Sequence, residues 1–224
     1  MGDVLREAWL FLNDPLSWTR PGGILELTGE HLMMSFLAVA IAAAIAIPIG
    51  ALLGHFGHGA ALMVVLSNTS RALPTLAIIL LLATAGLFGN TATVIAAGVF
   101  AAPVLLAGAY DGVSAADPAA RDAARGMGMS GLGVLFRVEA PLAVPLLSAG
   151  VRTAVVQVVA TIPLAALAGG GGLGQIIAFG MGTLRYGQVL AGGLLVALLC
   201  LTIDALLAVG QRAVTPRALR LRTA

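Results

Sequence analysis

Asp122 to Pro145, DAARGMGMSGLGVLFRVEAPLAVP, breaks the pattern of the chain around it. It gathers Asp122, Arg125, Arg137 and Glu139, with glycines at 126, 128, 131 and 133, between long runs of Ala, Leu, Val and Ile. Those flanking runs set the first constraint. Hydrophobic residues make up 59% of the 224 and charged residues only 10%, against about 25% charged in soluble domains. A chain this apolar has more apolar surface than one core can hide, which places it in lipid. One cysteine, Cys200, excludes an internal disulfide and leaves the redox compartment unread. All twelve basic residues are arginines; beside such runs they signal topology rather than nucleic-acid binding. Asp3, Arg6, Glu7, Asp14, Glu26 and Glu30 break up the N-terminus, so no basic-then-apolar signal peptide is expected there.

A spanning helix needs about 20 mostly apolar residues. Five stretches qualify, at about 32–53, 60–87, 91–112, 141–167 and 187–210. The second must recruit SNTSR (Ser67–Arg71), because its clean part, Leu76–Gly89, is too short to cross alone. Backbone in lipid must be hydrogen-bonded within its own segment, and no alternating barrel pattern appears, so the five are helices. The expected architecture is all-α, about five transmembrane helices in one domain over 31–212. An amphipathic interfacial segment at 1–30 precedes it, with Leu5, Trp9 and Leu12 on one face and Trp18 following. A basic tail over 213–224 follows it.

Arginines orient the chain. With the N-terminus outside, Arg121, Arg125, Arg137, Arg212, Arg217, Arg220 and Arg222 are cytoplasmic, while Arg6, Arg20 and Arg185 are external. That asymmetry predicts N-out, C-in in the cytoplasmic membrane, and it makes the loop at about 113–140 cytoplasmic. Within the loop, Asp117-Pro118 is a helix start, an acid at the N-cap and proline at the first position. Ala120, Ala123, Ala124 and Met127 recur at helical spacing as a shallow apolar face, with Arg121, Asp122 and Arg125 off it. Gly126 and Gly128 stop the helix. An alanine face can approach another protein's groove closely; the same spacing also suits a plain surface helix.

The stretch resembles the cytoplasmic signature of ABC-importer permease subunits: Glu-Ala-Ala, three residues, Gly, nine residues, Ile-x-Leu-Pro. Here it reads Asp122-Ala123-Ala124, Gly128, and Val138-Glu139-Ala140-Pro141, with Asp for Glu, Val for Ile and Ala for Leu. The resemblance implies a type I importer permease fold and a coupling helix that docks on an ATP-hydrolysing subunit through Asp122, Ala123, Ala124, Gly128, Val138 and Pro141. LTGEHLMMSF, SRALPTLA, GMGMSGLGVLFRVEAPLAVPLLSAGVR and GGGGLGQIIAFGM look like the osmoprotectant branch, which moves glycine betaine, carnitine, choline and related compounds. Implied partners are ABC ATPase subunits, a second permease (the same or a sister chain) and an extracytoplasmic substrate-binding protein, with the lipid bilayer around them.

Other features point to bland readings. GMGMSG matches G-x-G-x-x-G but follows a helix rather than a strand, so no nucleotide site is expected. No Walker A motif is possible without lysine, so energy must come from a partner. His55 and His58 read as a solvated loop, since two histidines without a neighbouring Cys or acid make a poor metal site. GALLG (Gly50–Gly54) and GAYDG (Gly108–Gly112) read as close helix packing. No catalytic residues, cofactor or metal are expected. Arg71 and Arg152 each lie roughly 16 Å into their spans, and Asp204 about 9 Å into the last. Arg152 or Arg71 can reach Asp204 as a structural ion pair; Asn68, Arg71 and Arg152 are candidates for a translocation path. Pro48, Pro74, Pro103, Pro145 and Pro163 place a possible kink in each of the first four spans. Phe36, Phe88, Phe100 and Tyr110 are too scattered for an aromatic cage, which leaves solute selection to the external partner. The competing readings are a permease for another solute, such as methionine, and an intramembrane enzyme or scaffold; the spans lack HExxH, Ser–Lys or paired-aspartate arrangements.

Overall fold

Helix begins earlier at the N-terminal end than the apolar run does. The computed structural model describes residues 2–63, 65, 66 and 74–215. Its elements are α1 (Gly2–Asn13), α2 (Pro15–Thr19), α3 (Ile24–Phe56), α4 (Thr75–Thr84), α5 (Gly89–Ser114) and α6 (Pro118–Gly126). Then come α7 (Gly131–Val134), α8 (Ala140–Thr161), α9 (Gly174–Gly182) and α10 (Tyr186–Val214). A π turn, Leu135–Glu139, joins α7 to α8, and a 3-10 stretch, Ile162–Ala168, prolongs α8. Residues 60–63, 65 and 66 are also helical, and no strand occurs among the described residues.

Among the described residues, four helical stretches are long and apolar enough to cross a membrane: Pro15–Phe56, Gly89–Ser114, Gly131–Ala168 and Tyr186–Val214. The fold is the expected all-helical one, but the count of five is matched only roughly. Of the second expected span, residues 60–63, 65, 66 and 74–87 are described, the last stretch holding the ten-residue α4; Asn68 and Arg71 lie outside the described residues. Pro48, Pro103 and Pro145 sit inside helices, whereas Pro74 caps α4 and Pro163 opens the 3-10 stretch.

The chain packs as two units. The first comprises Met1–Val39, Pro74–Val99 and Val155–Ile203; the second comprises Ala40–Leu73, Phe100–Ala154 and Asp204–Ala224. In the first, Ile24 and Leu27 are buried against Leu173 and Ile176, with Phe11, Leu12 and Trp18 packed on them. That burial starts α3 at Ile24, eight residues before the expected span and inside the segment assigned to 1–30. Polar TGEH does not stop the helix, because Thr28, Glu30 and one ring nitrogen of His31 find partners inside the protein. Thr28 donates to the Ile24 carbonyl at 2.6 Å, and Glu30 accepts the Gly172 amide at 3.0 Å. Asn90 accepts the neighbouring Gly171 amide at 2.7 Å, so side chains from α3 and α5 clamp the glycine-rich turn before α9. Buried His31 meets the Val159 carbonyl at 2.9 Å. The N-terminal face divides: Leu5 and Trp9 are exposed, while Leu12 and Trp18 join the core.

In the second unit glycines let backbones touch. A Cβ on Gly54 would stand 2.8 Å from the Tyr110 carbonyl oxygen of α5, and one on Gly108 would stand 3.0 Å from the Gly150 Cα of α8. These are the small-residue repeats of the sequence, and they hold α3, α5 and α8 at close range.

Candidate functional site

The short helix α6 follows α5 after a three-residue link. Asp117 caps it by accepting the Ala119 amide at 2.9 Å, and Pro118 occupies its first position, where a missing N–H is harmless. Its end is equally determined. The Met129 amide reaches the Ala124 carbonyl at 3.1 Å, and the Gly128 amide reaches Arg125 at 2.9 Å. Gly128 takes φ +81°, the left-handed conformation this double bond requires. Ser130 then starts α7, accepting the Gly133 amide at 3.2 Å.

The apolar face expected on α6 is divided. Ala124 is buried against its own chain, while Ala123 is exposed and Met127 is 73% exposed. Asp122 projects outward, with Arg125 at a loose 3.9 Å. Val138 is half-buried and Pro141 exposed, at the junction into α8. Ala123, Asp122 and Met127 thus face outward from a helix whose other side is held by the protein itself.

What holds it is charge. The Glu139 side chain is wholly buried at the end of the π turn. One carboxylate oxygen lies 2.6 Å from His55 Nδ1, and the other lies 3.0 Å from Arg121 Nε, an ion pair without hydrogen-bond alignment. Arg121 also donates from Nη2 to the Val113 carbonyl, one of the last carbonyls of α5, which have no partner within the helix. One sequence expectation is extended here and one is corrected. Arg121 lies off the alanine face as expected, but it turns inward and bridges. His55 is not in a solvated loop: it sits in the last turn of α3 with its side chain 6% exposed. Removing one partner of a buried pair costs about 3–5 kcal/mol, since the other charge is left uncompensated. Sequence reasoning missed this cluster. The available signal was Glu139 itself, an acid at the mouth of an apolar run that needs a cation beside it.

Deeper in the apolar sequence, Arg152 of α8 grips Asp204 of α10 through two parallel hydrogen bonds, Nε to Oδ1 at 2.6 Å and Nη2 to Oδ2 at 2.7 Å. Arg152 also borders a mostly apolar groove beside Ser148, Val151, Leu207 and Gln211.

Residues 46–218 match the family of binding-protein-dependent transport system inner membrane components. The chain belongs to this family. It is a multi-pass membrane protein and a transport subunit rather than an enzyme. Among similar proteins, the glycine betaine/carnitine/choline transport system permease protein OpuCB of Bacillus subtilis is 32% identical over 202 residues, covering 90% of this chain and 93% of that one. The choline transport system permease protein OpuBB of Bacillus subtilis is 30% identical, with 88% and 91% covered. The osmoprotectant import permease protein OsmW of Salmonella typhimurium is 31% identical, with 89% and 95% covered. A chain from inward-facing conformations of the MetNI methionine ABC transporter superposes with a TM-score of 0.76 at 22% identity, over 91% of this chain and 100% of that one. That likeness shows the fold, an ABC importer permease fold, and the family's inner-membrane subunits are what the sequence resemblance implied.

Proposed function

We propose that the chain is the permease of an importer for a betaine-type osmoprotectant, such as glycine betaine, carnitine or choline, and that ATP hydrolysis on a separate subunit drives it. The observation that carries the solute is the set of relatives above, matched over about nine-tenths of both chains and named for these compounds. α6 is the ATPase contact: Asp122 and Ala123 stand outward on it, Ala124 and Gly128 shape it, and Val138 and Pro141 lead its motion into α8. The N-terminus is outside and the C-terminus cytoplasmic. A second permease, the same or a sister chain, completes the passage, and an external binding protein delivers the solute. Asn68, Arg71 and Arg152 contribute to the path, and Asp204 neutralises Arg152.

The complete transporter, reconstituted with its ATPase and binding protein, is expected to take up radiolabelled glycine betaine or choline in an ATP-dependent manner. Uptake of methionine with no response to any quaternary ammonium compound would move the chain to another branch.

A further inference from the structure

α6 makes little apolar contact with its own protein: Ala124 is its one buried residue. Yet three long helices reach it through one ionic cluster. His55 closes α3, the Val113 carbonyl closes α5, and Glu139 opens the way into α8; Arg121 of α6 touches the second and third, and His55 touches Glu139. A rigid, buried, charged contact transmits displacement better than a loose apolar one, because separating its members exposes unpaired charge in a low-dielectric site. The π turn Leu135–Glu139 adds a second feature. It holds a surplus residue in the helical register, the kind of irregularity that concentrates at functional positions.

We infer that Arg121, Glu139 and His55 form the positioning device that carries movement of α6 into α3, α5 and α8, and so links ATP hydrolysis to solute passage. This rests on the reading of α6 as the ATPase contact. Glu139 touches neither solute nor nucleotide in this role; it acts through Arg121 and His55. Docking of the ATPase and transmission of its motion are then separable, the first belonging to the outward residues of α6 and the second to the buried cluster.

The test compares Glu139→Gln, which keeps shape but removes the charge, with Arg121→Lys, which keeps charge but loses the fork that reaches both Val113 and Glu139. Ala123→Trp serves as the docking variant. Membrane abundance, ATPase copurification, ATP hydrolysis and uptake per ATP are measured on the reconstituted transporter. In Glu139→Gln and Arg121→Lys the ATPase is expected to copurify normally and to hydrolyse ATP, while solute moved per ATP falls roughly tenfold. Unchanged uptake per ATP, or a proportional fall in hydrolysis and uptake, would overturn the inference. So would loss of membrane abundance in both variants, which would make the cluster a folding element. Normal ATPase copurification in Ala123→Trp, with uncoupling in Glu139→Gln, would instead move the docking surface off Ala123 to other outward residues of α6 and leave the cluster standing.

Discussion

Arg152 and Asp204 are joined by two hydrogen bonds between apolar helices, and an unpaired charge in that setting is disfavoured by the membrane itself. Single variants Arg152→Met and Asp204→Leu are therefore expected to lower membrane abundance, and the double variant to restore it. Uptake in the double variant then separates two roles. Restored uptake makes the pair structural; restored abundance without uptake makes Arg152 part of the path. That Arg152 or Arg71 can reach Asp204 was legible from counting residues along the spans and from the backward lean of helical side chains, which left the choice between the two arginines open. Glu139 was not legible in the same way. Its partners His55 and Arg121 lie 84 and 18 positions away, and the local pattern, an acid before a span, calls for a cation without saying which distant one supplies it.

Among the elements, α6 shows the closest agreement between local sequence and local structure. Asp117, Pro118 and Gly128 delimit it by capping chemistry, while Gly126, expected to stop the helix, is its last helical residue. An added Cβ at Gly128 meets nothing within 4 Å, so substitution there strains only the backbone, by about 1–2 kcal/mol for an ordinary residue in the left-handed region. Gly128→Val is expected to misdirect the chain toward α7 and to reduce ATPase copurification several-fold at matched abundance, while Gly128→Asn, which tolerates this conformation, stays near normal. Equal defects in both would point to a steric partner instead of a backbone requirement. The start of α3 is the opposite case. TGEH looks too polar for a span, and only the acceptors and donors supplied by Ile24, Gly172 and the packing of Leu173 keep it helical.

For the whole molecule, the arginine distribution predicts N-out, C-in. A single cysteine introduced at Ala115, exposed in the link between α5 and α6, tests it in a Cys200→Ser background. Neighbouring Ala116 is buried and unsuitable. A membrane-impermeant maleimide should label Ala115→Cys only from the cytoplasmic face; labelling from outside would reverse the topology and remove the ATPase-contact reading of α6.

Composition, apolar run length and glycine spacing were enough to specify a helical membrane protein, its close-packed repeats and the short capped helix, because each depends on neighbours within a few turns or on the solvent around the chain. Family membership was carried by the spacing from Asp122 to Pro141. Tertiary structure alone decided the rest: that Ala124 faces inward and Ala123 outward, that α3 extends back to Ile24, and that His55, Arg121 and Glu139 meet. Those outcomes depend on which distant helix end supplies a partner to a buried charge or an open amide, and the cost of leaving such a group unpaired is set by the packed whole rather than by its local sequence.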